Sequence, residues 1–238
     1  AQYDDASIAP ALLGVYEQLS LEQKRAALST LSARVGSGLK LLAAIDSGDI
    51  APSDLTADLV RQLQFLRDAK VDSLLEKVWG VARESAADKL AMIEEYKSLV
   101  DSAKHPEPNL ELGRAVFAKT CMKCHGLFGV GEKVGPDLTG SNRSNLDYLL
   151  SNIVDPSAVM AKEYVPSVFL LDDGRVVNGL IREEDKFSVT VQTSDAIVVL
   201  PKEEIERRRK GDKSMMPDNQ LQQFSPHEIR SLVAYLRS

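Results

Sequence analysis

Five residues, Cys121-Met122-Lys123-Cys124-His125, place two thiols three positions apart and a histidine directly after the second. This pattern is the attachment signal for a c-type haem. Each cysteine sulfur adds to one vinyl group of the porphyrin, and the helical turn between the thiols matches the distance between the two vinyls. The histidine is then held beneath the iron as its proximal ligand. The segment therefore predicts one covalently bound haem c.

Two other kinds of site use cysteines at this spacing, namely a thioredoxin-like dithiol and one half of a zinc site. A dithiol motif does not need a histidine next to it. A zinc site needs more ligands, and Cys121 and Cys124 are the only cysteines of the chain. The haem interpretation is therefore favoured over both.

Length and charge restrict the remaining classes of protein. A chain of 238 residues has room for one large domain or two smaller ones. A formal net charge of −6 gives no indication of nucleic-acid binding, and no apolar run approaches the length of a transmembrane helix. No cleavable leader is recognisable at Ala1, so we expect a mature form or a piece of a longer protein. Because haem is attached to thiols outside the cytoplasm, we expect a periplasmic or otherwise extracytoplasmic protein.

Apolar residues at helical spacing predict a helical domain over residues 1–104. Within it, Leu21–Gly48 and Ser53–Gly80 are helix pairs of similar length, which suggests a HEAT-like repeat. Such a region serves either as a docking scaffold or as a small bundle that only packs on the haem domain, and periodicity cannot separate the two. Two prolines interrupt any helix in the linker Ser102–Asn109, so the domain boundary is predicted there.

The second domain, residues 109–238, is predicted to begin and end with helices that pack on each other. Gly113 lies within the first of these helices, where glycine lowers stability relative to alanine. A close helix crossing would explain this glycine. The expected partner is the last helix, Pro226–Arg237, with Tyr235 near the crossing, because cytochrome c folds begin and end in this way.

The segment Gly135–Gly140 resembles the cytochrome c segment in which a proline carbonyl accepts the proton of the proximal histidine. In this chain that proline is Pro136, and the contact would fix the tautomer of His125 and raise its basicity. Leu138 would pack on the haem face. Arg143 stands where an arginine could pair with a haem propionate, although it could equally be an ordinary surface charge.

A candidate for the sixth iron ligand lies in Ser214–Pro217. A methionine thioether is the soft distal ligand that favours electron transfer in c-type cytochromes. Met215 and Met216 are adjacent, and the residue directly before Pro217 has the usual position of that ligand. We therefore predict Met216 as the ligand.

From Tyr164 the apolar pattern changes from helical to alternating, which predicts a small antiparallel β insertion over about residues 164–200. Val165–Leu171 with Arg175–Ile181 is typical of a β-hairpin, and Ser188–Gln192 with Ala196–Leu200 of a second pair. The insertion contains no His, Met or Cys, so we expect it to lie outside the ligand set.

Four consecutive basic residues follow the predicted strands, within Ile205–Lys210. A run of this kind normally forms a solvated face. Its functional alternative is docking of an acidic redox partner.

Taken together, the chain resembles the planctomycete-type haem-binding cytochrome c domain over residues 109–238. The resemblance rests on Gly113–Phe117, Cys121–His125, Val134–Gly140, Tyr148–Leu150, Asp155-Pro156, Asp173–Arg175, Ser214–Pro217 and Ala234–Leu236. The helical region, including Lys77–Gly80, is similar to what precedes this domain in large secreted proteins, where a propeller-type dehydrogenase is followed by HEAT-like helices. The resemblance implies the C-terminal piece of such a protein. The family usually has Leu in place of Met215, which supports Met216 as ligand.

The sequence therefore predicts a mainly α fold, with a HEAT-like domain and a cytochrome c domain that carries a small β insertion. The predicted function is one-electron transfer by an iron with His125 and Met216 as ligands, to or from a redox partner protein or a fused dehydrogenase domain, rather than catalysis by the chain itself. One alternative is a haem enzyme or gas sensor with an open or labile distal site. Another is an interaction module in which the haem is only structural.

Overall fold

A computed structural model describes residues 7–238 of the chain. Residues 1–6, which belong to the predicted helical domain, lie outside the described residues. The chain divides into two compact units. The first contains the described residues up to Glu84 together with Val159–Lys162, and the second contains Ser85–Ala158 and Glu163–Ser238.

The described part of the first unit contains five α-helices: α1 (Ile8–Val15), α2 (Leu21–Leu31), α3 (Val35–Ser47), α4 (Ala57–Gln64) and α5 (Ala69–Val78). Apolar side chains on their inner faces form a core in which Leu31, Leu41, Leu42, Val60, Leu63 and Val71 are fully buried. The two predicted helix pairs are present as α2 with α3 and as α4 with α5. Their relation to HEAT repeats stays a prediction.

Local sequence signals set the ends of these helices. Ser20 begins α2 with a capping box, since its Oγ accepts the N–H of Gln23 and its own N–H donates to the Gln23 side chain. Gly48 ends α3 in the left-handed conformation, with φ at +87°.

A two-stranded antiparallel sheet completes the first unit. Strand β1 (Gly80–Ala82) pairs with β2 (Val159–Ala161), with Gly80 opposite Ala161. Gly80 has a φ of +150°, and a β-carbon there would collide with the carbonyl of Met160. Trp79 is buried beside this sheet and donates its indole N–H to the carbonyl of Leu55 over 2.8 Å. It is therefore a core residue.

The second unit contains four α-helices and a five-stranded sheet. The helices are α6 (Ala87–Val100), α7 (Leu110–Thr120), α8 (Leu146–Val154) and α9 (Pro226–Arg237). Their apolar faces share one core, whose buried members include Ile93, Val116, Phe117, Leu150, Ile229, Leu232 and Val233.

The crossing of α7 and α9 is the closest helix contact in this unit. A β-carbon on Gly113 would collide with the backbone of Ser231 and would lie 2.7 Å from the β-carbon of Tyr235. The rings of Phe117 and Tyr235 pack with their centres 5.8 Å apart. The predicted packing of these two helices at Gly113 is confirmed.

The compact units do not divide at the predicted linker Ser102–Asn109, because α6 and the linker both belong to the second unit. Ile93 of α6 is buried in the core of that unit. Buried Arg230 in α9 donates to the carbonyls of Val100, His105 and Pro106 over 3.3, 2.8 and 2.5 Å. These bonds tie the end of α6 and two carbonyls of the linker to α9.

The five-stranded antiparallel sheet has the order β6-β5-β4-β3-β7. Its strands are β3 (Ser167–Leu171), β4 (Val176–Glu184), β5 (Ser188–Gln192), β6 (Ile197–Pro201) and β7 (Ile205–Lys210). Both predicted hairpins are present, as β3 with β4 and β5 with β6. Phe169, Leu171, Val189, Val191 and Leu200 form a separate small core on one face of this sheet.

The prediction of a mainly α fold with a small β insertion is wrong. The described residues contain seven strands in two antiparallel sheets, and of these residues 48% are helical and 16% are in strands. The larger sheet extends past residue 200 because Ile205–Lys210 returns along β3, with Val168 opposite Arg209 and Leu170 opposite Arg207. The four basic residues of β7 interrupt the alternation of apolar and polar residues, so the sequence pattern does not indicate a strand there.

The basic run is therefore an edge strand as well as an exposed face.

No helix among residues 7–238 has the length and apolar character needed to cross a membrane.

Candidate functional site

The two cysteines and the histidine lie in a single turn at the end of α7. Cys121 ends the helix, and its N–H donates to the carbonyl of Phe117 over 2.8 Å. The N–H groups of Cys124 and His125 both donate to the carbonyl of Cys121, each over 3.0 Å. Both cysteines are free thiols and both are partly buried. A packed helix thus presents both thiols and the imidazole together.

The imidazole of His125 is fixed by Pro136. Its Nδ1 lies 2.9 Å from the carbonyl oxygen of Pro136. Because a carbonyl can only accept, Nδ1 must carry the proton in this contact, and Nε2 of the neutral ring keeps a free lone pair. The expected contact is present in the structure. The role of His125 as iron ligand stays a prediction.

Gly135 packs directly on the ring of His125. A β-carbon at this position would lie 2.6 Å from Cε1, 2.9 Å from Nδ1 and 3.2 Å from Nε2. The N–H of Gly135 donates to the carbonyl of Cys124 over 2.7 Å, which holds the two segments together. The sequence gives no indication of this role, because no local pattern shows that a glycine packs on a ring ten positions earlier.

Arg143 is bound to the C-terminal end of α9. Its Nη1 donates to the carbonyls of Leu236 and Ser238 over 2.6 and 2.5 Å, and its guanidinium carbon lies 4.7 Å from the centre of the Phe128 ring. Its Nε is buried and has no hydrogen-bond partner within the described part of the chain. One buried donor of Arg143 is thus open to an acceptor, and its pairing with a propionate stays a prediction.

Leu138 and Cys121 pack against the same apolar core of the second unit. The N–H of Leu138 donates to the carbonyl of Gly126 over 2.8 Å, so the segment after Pro136 returns to the residue that follows His125. Leu138 therefore lies on the apolar side of the motif.

Met215 and Met216 are both partly buried in an irregular segment after β7. The N–H of Met216 donates to Oγ of Ser214 over 3.1 Å, and the N–H of Ser214 donates to Oγ of Ser157 over 3.0 Å. Ser157 is itself 7% exposed. One hydrogen bond thus holds the segment to buried Ser157 and a second orders it locally, while the ligand role of Met216 stays a prediction.

Burial keeps the three groups of the motif in their uncharged forms. It raises the pKa of Cys121 to about 11 and also raises the pKa of Cys124. It lowers the pKa of His125, against the opposing effect of the hydrogen bond to Pro136. The imidazole is therefore held neutral, which is the form that binds a metal.

These residues fit a covalently attached haem. Two thiols and a neutral imidazole lie in one turn, Gly135 packs closely on the imidazole ring, and Arg143 has an unused buried donor. Within residues 7–238, no group of three or more His, Cys, Asp or Glu side chains is placed to share a metal ion.

In a comparison with known families, residues 108–163 match the family described as cytochrome c oxidase, cbb3-type, subunit III. The match includes Cys121–His125, Pro136, Leu138 and Arg143, and it ends before Met216. It covers less than half of the chain, and it supports a cytochrome c haem-binding domain, haem c binding and haem-based electron transfer in general. The planctomycete type and the HEAT-like region stay predictions. A comparison with curated proteins gave no match.

Proposed function

We propose that residues 109–238 form a monohaem c-type cytochrome that carries single electrons. The observation that carries this proposal is the contact between Nδ1 of His125 and the carbonyl of Pro136, within hydrogen-bonding distance and directly beside two free thiols. A dithiol enzyme has no need for a histidine held in this way. A metal-binding imidazole commonly has its second nitrogen bound to a carbonyl.

The chain's own residues would hold and tune the group. Cys121 and Cys124 would add their S–H groups across the two vinyls, and His125 would offer Nε2 as the proximal ligand. Pro136 keeps Nδ1 protonated and makes the imidazole a more basic ligand. When bound, the haem supplies the one-electron couple of its iron.

Met216 is the proposed distal ligand. Its support is chemical, because a thioether is soft and stabilises ferrous iron. It is also structural, because Ser214 and Ser157 fix the segment that carries it. Met215 is the competing thioether in the same segment.

The wider setting is proposed from the resemblance and from the chemistry of thioether attachment. The protein would work in the periplasm or an equivalent compartment, as the C-terminal electron-transfer part of a larger secreted dehydrogenase. Its partner would be the fused dehydrogenase domain or a separate redox protein. In this proposal residues 1–104 are a helical domain and residues 109–238 the cytochrome domain.

Visible spectra of the oxidised and reduced protein test the proposal. We expect the pyridine haemochrome of a c-type haem, a low-spin reduced spectrum and a weak sulfur-to-iron band near the red edge in the oxidised form. A reduced protein with a five-coordinate, high-spin spectrum would instead favour a haem enzyme or gas sensor. A protein without covalent haem would overturn the proposal.

A further inference from the structure

Arg182 connects the five-stranded sheet to the segment that holds His125. Its Nη2 donates to the carbonyls of Lys133 and Val134, over 2.9 and 3.0 Å. The next two residues along the chain are Gly135, which packs on the ring of His125, and Pro136, which accepts its Nδ1 proton. A residue of the sheet thus binds the chain directly before both contacts of the imidazole.

Strand β4 is irregular at the same place. The pairing of β4 with β5 shifts register between Ile181 and Glu183, so Arg182 lies within a β-bulge. A bulge interrupts the ladder and redirects the side chain of the extra residue, and bulges are over-represented next to active sites. The bulge therefore directs the guanidinium of Arg182 out of the sheet, towards the carbonyls of Lys133 and Val134.

We propose that Arg182 is a positioning residue, through which the sheet holds the Pro136 carbonyl against His125 and thereby sets the reduction potential of the haem. This inference rests on the proposed function. Nη2 of Arg182 donates to two successive carbonyls, and two such bonds restrain the backbone more than a single hydrogen bond would. Gly135, which has no side chain to anchor it, directly follows Val134, whose carbonyl is bound by Arg182.

The sign of the potential shift separates positioning from simple charge. If Arg182→Met loosens the segment, the hydrogen bond at Nδ1 weakens, the imidazole becomes less basic and ferric iron is less stabilised, so the potential rises. If Arg182 acts only through its positive charge, removing the charge stabilises ferric iron and the potential falls.

The experiment measures the potential of the haem-loaded protein and the exchange rate of the His125 Nδ1 proton in the reduced form by NMR. Arg182→Met should raise the potential and speed the exchange. Arg182→Lys, which keeps the charge but has a shorter side chain that ends before the position of Nη2, should change both in the same direction. Lys133→Met is the matched control, since it removes an exposed charge from the same segment and leaves both carbonyl contacts in place.

A potential that falls or stays constant in Arg182→Met, as in Lys133→Met, with unchanged proton exchange, would overturn the inference and leave the proposed function intact. A wild-type protein without covalent haem would overturn both.

Discussion

Gly135 lies against the imidazole of His125 with no room for a methyl group between them. A β-carbon there would approach Cε1 to 2.6 Å, closer than real β-carbons approach other atoms. We expect Gly135→Ala to push the ring away from the Pro136 carbonyl and to destabilise the haem-loaded protein by about 1–3 kcal/mol, as overpacking does elsewhere. Denaturant unfolding measures this change.

Gly140→Ala is the matched control for this substitution, because no atom lies within 4 Å of a β-carbon at position 140. Equal unfolding midpoints for the two alanine variants would show that the ring moves aside at no cost.

Removing either thiol should leave at most one thioether, because each sulfur pairs with its own vinyl. Cys121→Ala and Cys124→Ala should therefore show an altered pyridine haemochrome spectrum, and less covalent haem by mass spectrometry. A variant with a normal holoprotein mass and a normal spectrum would refute attachment through both cysteines.

The two methionines should behave differently. Pro217 biases its predecessor towards an extended backbone, which gives Met216 a defined direction. Loss of a soft thioether destabilises ferrous iron, so Met216→Ala should become high-spin or take another ligand, with a lower potential. Met215→Ala should keep the low-spin spectrum.

The opposite pattern would move the ligand to Met215. If neither substitution had an effect, a histidine such as His105 or His227 would become the next candidate for the distal ligand.

Arg143 should contribute to stability through the end of α9. Arg143→Met removes its hydrogen bonds to the carbonyls of Leu236 and Ser238. We expect a loss of about 1–2 kcal/mol, in the lower part of the range for charged hydrogen bonds because the residue is partly exposed. Arg175→Met is the control, since Arg175 is exposed and binds Asp173 only two positions away. Equal unfolding free energies for the two variants would contradict this role.

The pKa of Cys121 predicts how the haem-free chain reacts with iodoacetamide. Only the thiolate reacts, so in Cys124→Ser the alkylation rate of Cys121 should rise about tenfold per pH unit from neutral pH. The rise should continue well above pH 9, because burial is the larger cause of the raised pKa of Cys121 and remains in this variant. In denaturant the same rate should level off near pH 8.5, the ordinary value of a free cysteine. A plateau near pH 9 in the folded chain would show that the thiol is not buried.

The sequence predicts those features that depend on residues close together in the chain or on a periodic pattern of apolar residues. The order of thiols and histidine is contiguous, the glycine within α7 indicated a close helix crossing, and the two hairpins alternate clearly. Each of these depends on residues near each other in the chain or on a repeated pattern.

The parts that could not be predicted depend on pairings across long separations. β7 pairs with β3 through a run of basic residues that has no apolar alternation. Arg182 reaches the carbonyl of Lys133 across 49 positions, and the bulge that directs it depends on the register of two strands. Nothing in the residues next to Arg182 in the sequence indicates its contact with the carbonyl of Lys133.

The crossing of α7 with α9 also has a consequence for the biosynthesis of the chain. The N–H of Asn109 bonds to Oγ of Ser231 across 122 positions, so the two helices meet only after a very long loop has closed. Contacts of this range form late and slowly. We expect the segment that carries both thiols to stay open until α9 has left the ribosome. A stalled nascent chain that lacks α9 should therefore be cut readily by protease near Cys121, and a chain that includes α9 should resist.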